Sequence, residues 1–236
     1  EWRGSLVDLP LRRGRSAEQR GDVDNNILNR DARLLFGPLA AILFIAGVAV
    51  LPVFVPGYSA VRRTVSEIGQ MSSPMRWPFA GLLWVVAACA FVFAAALWRA
   101  RSAGRTVAAA LTVFCTAWMG VAAVALGWFA YPAALHNVFG LSELIAYQAP
   151  LAFAVAWRGE SRAGVGFSLL MYVLTLVSLG LNLAALLDNG AFWHLVKPVF
   201  GLLQRSLFAV FFVWCGGLGW LLWSRTARAT NAVAAA

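Results

Sequence analysis

Hydrophobic positions in this chain fall into six long runs, at about 35–55, 78–98, 106–130, 137–157, 165–187 and 202–223, separated by short polar stretches. A bilayer core about 30 Å thick needs roughly 20 apolar residues in a helix, and each run is of that order. The runs are continuous rather than ten-residue alternations, which predicts helices and not a barrel. The expected fold is therefore all-α: a polytopic six-helix transmembrane bundle over residues 35–224. A polar, Arg-rich extension (1–34) precedes it and a short tail (225–236) follows. Trp77, Trp98, Trp128, Trp157, Trp193 and Trp223 fall near run ends, as an interfacial belt would. Gly216-Gly217-Leu218-Gly219, inside the sixth run, reads as a site of close helix approach rather than a phosphate loop.

Composition sharpens this. Of 236 residues, 61% are hydrophobic and 12% charged, against about 25% charged in soluble domains. The net charge of +9 is carried by 19 basic residues, all but one of them Arg. They sit between the apolar runs, where membrane topology accounts for them, and no groove-reading motif points to nucleic acid. With the N-terminus inside, inner segments hold fourteen Arg and outer loops hold five Arg or Lys. That asymmetry predicts both termini cytoplasmic, in a multi-pass protein of the bacterial inner membrane. The chain begins at Glu1 rather than Met, so residues are expected ahead of it. Its first 34 residues do not resemble a signal peptide. Cys89, Cys115 and Cys215 all lie in apolar runs without CxxC pairing and are expected as buried free thiols.

The same topology gathers out-of-place polar residues at the non-cytoplasmic end. The first loop carries Tyr58, Arg62, Arg63, Ser66 and Glu67. The second carries His136 and Asn137. The third carries Asp188, His194, Lys197, Gln204 and Arg205. Val61, Val65 and Ile68 are spaced i, i+4, i+7, which predicts a short interfacial helix with Arg63 and Glu67 paired along it. Arg62, Arg63, Glu67, His136, Asn137, Lys197, Gln204 and Arg205 form a candidate structural or lipid-facing polar cluster. Ser66, Glu67, His136 and His194 are the candidate catalytic residues, with Ser66 and either histidine as a nucleophile and base. No GxSxG elbow accompanies them. Two histidines without a third ligand give no metal or haem site, so no cofactor is expected. Glu143 is the only acid well inside an apolar run. An intramembrane carboxyl is either functional or an interhelical clamp, and its spacing of seven from His136 puts both on one helix face. Asp188 is placed to pair with Lys197 or Arg205.

Pro56-Gly57-Tyr58-Ser59, followed by Arg62-Arg63-Thr64-Val65-Ser66-Glu67-Ile68-Gly69, resembles the signature after the first helix of an uncharacterised membrane family, domain of unknown function 998. His136-Asn137 and Gly201-Leu202-Leu203-Gln204-Arg205 are similar to two shorter pieces of the same pattern. The resemblance covers roughly residues 35–225 and implies a six-to-seven-helix fold without an established activity. An acidic P-x-D expected after the third helix is replaced here by Tyr131-Pro132-Ala133, which counts against a catalytic second loop.

Two functions fit these features. A polar tail with seven Arg is expected to be ordered by a partner, which favours an accessory, non-catalytic subunit of a larger membrane complex of respiratory or photosynthetic type. Its partners would be the lipid bilayer and other membrane-protein subunits. The alternative is an enzyme or carrier acting on a lipid or isoprenoid at the outer leaflet, using the polar cluster. A transporter is disfavoured, because Glu143 and Gln148 do not make a polar path and no inverted repeat shows.

Overall fold

The computed structural model describes residues 31–101, 104–183 and 190–234. Asp31–Ser224 forms one compact unit. Among the described residues the secondary structure is helical, with no strand. Six segments are long and apolar enough to cross a membrane: Ala32–Phe54, Arg76–Arg99, Thr106–Trp128, Ala134–Ala156, Arg162–Leu183 and Ala191–Arg225. The protein is thus an all-α, six-span membrane protein. Most of the polar extension, residues 1–30, lies outside the described residues, as does Asp188 with its expected pairing.

The first span opens with a 3-10 turn, Ala32–Leu35, capped by Asp31, whose Oδ1 accepts the Arg33 N–H at 3.1 Å. It continues as α1, Phe36–Val50, and ends in a 3-10 turn, Leu51–Phe54. The second and third spans are single helices, α2 (Arg76–Arg99) and α3 (Thr106–Trp128). Arg76 joins them at one end, donating to the Gly127 and Trp128 carbonyls at 2.7 and 2.8 Å.

The fourth span is broken into α4 (Ala134–Ala146) and α5 (Ala149–Ala156). Pro150 explains the break: it has no N–H to give the Ala146 carbonyl. Gln148 helps repair it, donating from Nε2 to the Leu144 carbonyl at 3.0 Å while its Oε1 accepts the Tyr172 hydroxyl at 2.9 Å. The fifth span is α6, Arg162–Leu183. The sixth starts earlier than its apolar run suggests. A short α7 (Ala191–Val196) and a 3-10 turn (Lys197–Val199) precede α8, Phe200–Ala234. Lys197 and His194, expected in a loop, are therefore helical.

Phe93, Phe153, Phe211 and Trp214 are almost fully buried. Phe44 of α1 stacks on Phe212 of α8, with ring centroids 4.3 Å apart. The close approach of these helices depends on small residues, as expected in a membrane where apolar lipid gives no preference for larger ones. A Cβ on Gly37 would collide with the Cys215 carbonyl, and one on Gly219 with the Leu34 carbonyl. The three cysteines are buried and free. Trp77 and Trp128 are each 61% exposed, as a belt requires. Trp157 departs from that belt. It is buried and stacks on Phe153, with ring centroids 4.3 Å apart.

Candidate functional site

Between the first and second spans, residues 56–75 fold over one end of the bundle as a cap. The chain enters it through a turn in which Tyr58 N–H donates to the Val55 carbonyl at 3.2 Å. Pro56 and Gly57 take the two central positions. Gly57 has φ +66, which is the type II geometry that favours glycine there. The predicted interfacial helix is absent. Residues 60–62 form a turn, and a 3-10 helix, Val65–Gly69, begins after it. The cause is a capping box: Glu67 Oε1 accepts from the Thr64 N–H at 2.9 Å and from the Thr64 hydroxyl at 3.0 Å, restarting the chain at Val65. Val65 and Ile68 are buried while Val61 is 42% exposed, so the three do not share one face. Arg63 and Glu67 do pair, Nε to Oε2 at 3.8 Å.

Two consecutive residues of α8 hold the cap down. Gln204 Oε1 accepts the Val65 N–H at 2.6 Å. Arg205 donates from Nη1 to the carbonyls of Ala60 (2.8 Å), Arg63 (2.9 Å) and Gly201 (3.0 Å), and from Nη2 to the Tyr58 hydroxyl at 2.6 Å. Tyr58 in turn donates to the Thr64 carbonyl at 2.6 Å. Burial pushes the Tyr58 phenol above its ordinary pKa, against the pull of the Arg205 guanidinium. It therefore stays neutral and keeps the proton it donates. A Cβ on Gly201 would run into the Arg63 and Ala60 carbonyls, so the cap rests directly on the helix backbone there.

This clasp sets Ser66 against the bundle. Ser66 Oγ lies 2.9 Å from His136 Nε2, and His136 Nδ1 lies 2.7 Å from the Phe129 carbonyl. A carbonyl only accepts, so Nδ1 carries the hydrogen. In the neutral ring Nε2 then presents its lone pair to the Ser66 hydroxyl. His136 is in the first turn of α4, not in a loop, and its ring packs T-shaped against that of Tyr131, with centroids 5.9 Å apart. Ser66, His136 and Glu143 line one cavity of about 30 Å³, walled otherwise by apolar side chains including Phe44, Phe208 and Phe212. That is room for one or two water molecules. Glu143 is 6% exposed, and its Oε2 accepts the Tyr147 hydroxyl at 3.1 Å.

Of the sequence candidates, the structure brings Ser66, His136 and Glu143 together. Glu67, Arg63, Gln204 and Arg205 belong to the cap and its clasp and do not line the cavity. Arg62, Asn137, His194 and Lys197 are exposed and stand apart from it, so the predicted single polar cluster divides into a clasp, a cavity and scattered surface groups. One contributor escaped the sequence reading. The Phe129 carbonyl, as backbone, has no sequence signal. Tyr147 was visible one turn after Glu143. Among the described residues no group of three His, Cys, Asp or Glu could hold a metal ion.

Six apolar spans and a clasped polar cap over a small, mostly apolar cavity define, among the described residues, a polytopic membrane protein with a polar site under its cap. The chain belongs to the family described as Protein of unknown function (DUF998), whose model matches residues 38–221. That match takes in the cap, the clasp and all three cavity residues. No curated protein and no solved structure matches the chain.

Proposed function

We propose that the protein is a membrane-embedded acyl-ester hydrolase or acyltransferase that acts on a lipid, with Ser66 as nucleophile and His136 as general base. The observation that carries this is the Ser66 Oγ to His136 Nε2 contact at 2.9 Å, with the other ring nitrogen oriented by the Phe129 carbonyl at 2.7 Å. A serine hydroxyl is a weak nucleophile unless an adjacent base takes its proton, and a base acts well when a third group fixes its tautomer. In the step this supports, Ser66 Oγ bonds to the acyl carbon as its proton passes to His136 Nε2. The ester C–O bond then breaks, and the leaving alcohol takes that proton from His136. Water or a second alcohol attacks the acyl-serine by the same route. The cavity admits the reacting carbonyl, while the chain of the substrate stays in the bilayer against exposed apolar helix faces. The excess of Arg on the opposite side supports a non-cytoplasmic placement of this end of the bundle.

The accessory-subunit reading drew its support from the Arg-rich extension. Residues 1–30 of that extension lie outside the described residues, so it gains nothing further here. The test is fatty-acid release from long-chain methyl esters by the purified protein in nanodiscs. Turnover by the wild type that falls at least 100-fold in both S66A and H136Q supports the enzyme. Release at the same rate by S66A, or no release by any of the three, overturns it.

A further inference from the structure

Glu143 lines the cavity of the reacting pair with one carboxyl oxygen unused. The Tyr147 hydroxyl donates to Oε2 at 3.1 Å, and neither ion pair found among the described residues includes the carboxyl. No donor among those residues reaches Oε1. Yet no fully enclosed side-chain nitrogen or oxygen among them lacks a hydrogen-bond partner. Oε1 is therefore open to contact by a water molecule, and the space that Glu143 lines is the cavity it shares with Ser66 and His136. The residue as a whole is 6% exposed and sits inside a membrane span. An acceptor left open in such a place is costly, so a donor in the cavity is favoured.

The size of the cavity says which donor. Its volume is about 30 Å³, and a water molecule needs roughly 10–15 Å³ of such space. It holds water and does not hold a carbon chain. A metal ion would find a single carboxyl, since among the described residues no three His, Cys, Asp or Glu converge. Apart from Ser66, His136 and Glu143, the walls are Phe, Leu, Met, Val and Ala. Water in the cavity thus has polar contacts at Glu143 and at the Ser66–His136 pair. Ser66 Oγ, while its hydroxyl donates to His136, keeps lone pairs that accept from water.

We propose that the cavity is a water site held by Glu143 Oε1, that it supplies the water for deacylation, and that the protein is in consequence a hydrolase rather than an acyltransferase. This rests on the reading of Ser66 and His136 as the reacting pair. Once Ser66 is esterified, Oγ carries no proton and His136 Nε2 has lost its donor. A cavity water is then the donor at hand. Its oxygen bonds to the acyl carbon as its proton passes to Nε2. The bond from Oγ to the acyl carbon then breaks, Oγ takes that proton from His136, and the carboxylic acid leaves. A lipid alcohol competing for the same acyl group has to come from the bilayer, because the cavity does not admit its chain.

The experiment observes the water separately from the chemistry. The full chain is crystallised from a lipid mesophase, as wild type and as E143L, at a resolution that shows ordered water. Water within hydrogen-bond distance of Glu143 Oε1 in the wild type, and none at that place in E143L, is the expected result. An empty cavity in the wild type overturns the proposal. In nanodiscs, p-nitrophenyl decanoate is then turned over in the presence of 1-octanol, and decanoic acid is measured against octyl decanoate. This ratio reads the fate of the acyl-serine and does not depend on how much of a variant folds. It should fall at least tenfold in E143L and stay near the wild-type value in E143Q, whose amide oxygen still accepts. The same ratio in E143L and wild type overturns the supply of water from this site. Ordered water at Oε1 with neither product formed by the wild type supports the water site and overturns the reading of Ser66 and His136.

Discussion

Arg205 donates to the hydroxyl of Tyr58 at 2.6 Å, joining the sixth span to the start of the cap across 147 positions of sequence. The same guanidinium reaches three backbone carbonyls, two of them in the cap. A planar group with five donors can do this; an ammonium on a flexible stem cannot hold all four acceptors at once. The cap, and Ser66 with it, is therefore held by a side chain that takes no part in the cavity.

Replacing Arg205 by Ala should cost about 1–3 kcal/mol, because hydrogen bonds to a charged donor are lost together. R205K should recover less than half of that. Thermal unfolding of the two variants in detergent checks both values, and equal stability of R205A and wild type would sink the clasp.

Gly201→Ala addresses the same contact from the other side. The added methyl meets the Arg63 and Ala60 carbonyls, which are backbone and cannot swing aside. The cap should be pushed off α8, lengthening the Ser66–His136 contact, at a cost of about 1–3 kcal/mol for overpacking. A cysteine placed at Ser59 should then react faster with a water-soluble maleimide than it does in the parent, while the helical circular dichroism stays the same.

Tyr58 gives the clasp a pH dependence. Its pKa is raised in the folded state mainly by burial, so the protonated phenol is the form that folding favours. The stability tied to it is fully present below the unfolded value of 10.0 and is lost as pH rises through the higher folded value. Melting temperature followed from pH 8 upward should fall more steeply above about pH 10 in the wild type than in Y58F. Parallel curves for the two proteins would contradict the assignment.

Deeper in the bundle, Trp214 donates from Nε1 to Ser168 Oγ at 2.9 Å, with both residues fully buried. Ser168→Ala leaves that indole N–H without its partner in a medium that has no water to replace it. The expected loss is about 1–3 kcal/mol in thermal unfolding. Ser168→Thr, which keeps a hydroxyl, should be milder.

The six spans were legible because each is a continuous apolar run of membrane length, a signal that neighbouring packing does not blur. Their ends were less so. Polar His136 and Lys197 looked like loop residues, yet both lie in the first turns of helices, beside apolar Leu135 and Val199. In the cap, the i, i+4, i+7 spacing of Val61, Val65 and Ile68 suggested one helix. The competing signal, Thr64 with Glu67 three residues on, was also in the sequence and marks a fresh helix start at Val65. The link between His136 and Glu143 followed from a spacing of seven on one helix. Ser66 with His136 did not, since they are 70 residues apart, and nothing local distinguished His136 from His194 as the partner. Gln204 and Arg205 act mostly on backbone atoms of the cap, so the residue types they touch carry no trace of the contact.

The pairing of Ser66 with His136 is tested most directly by intact-mass and peptide-level detection of a fluorophosphonate adduct on the full chain in nanodiscs. Attack by Ser66 Oγ on phosphorus would expel fluoride, with the serine proton taken up by His136. A single adduct on Ser66, lost in S66A and slowed at least 100-fold in H136Q, is the predicted result. No adduct in the wild type, or one that forms at the same rate without His136, would contradict the account.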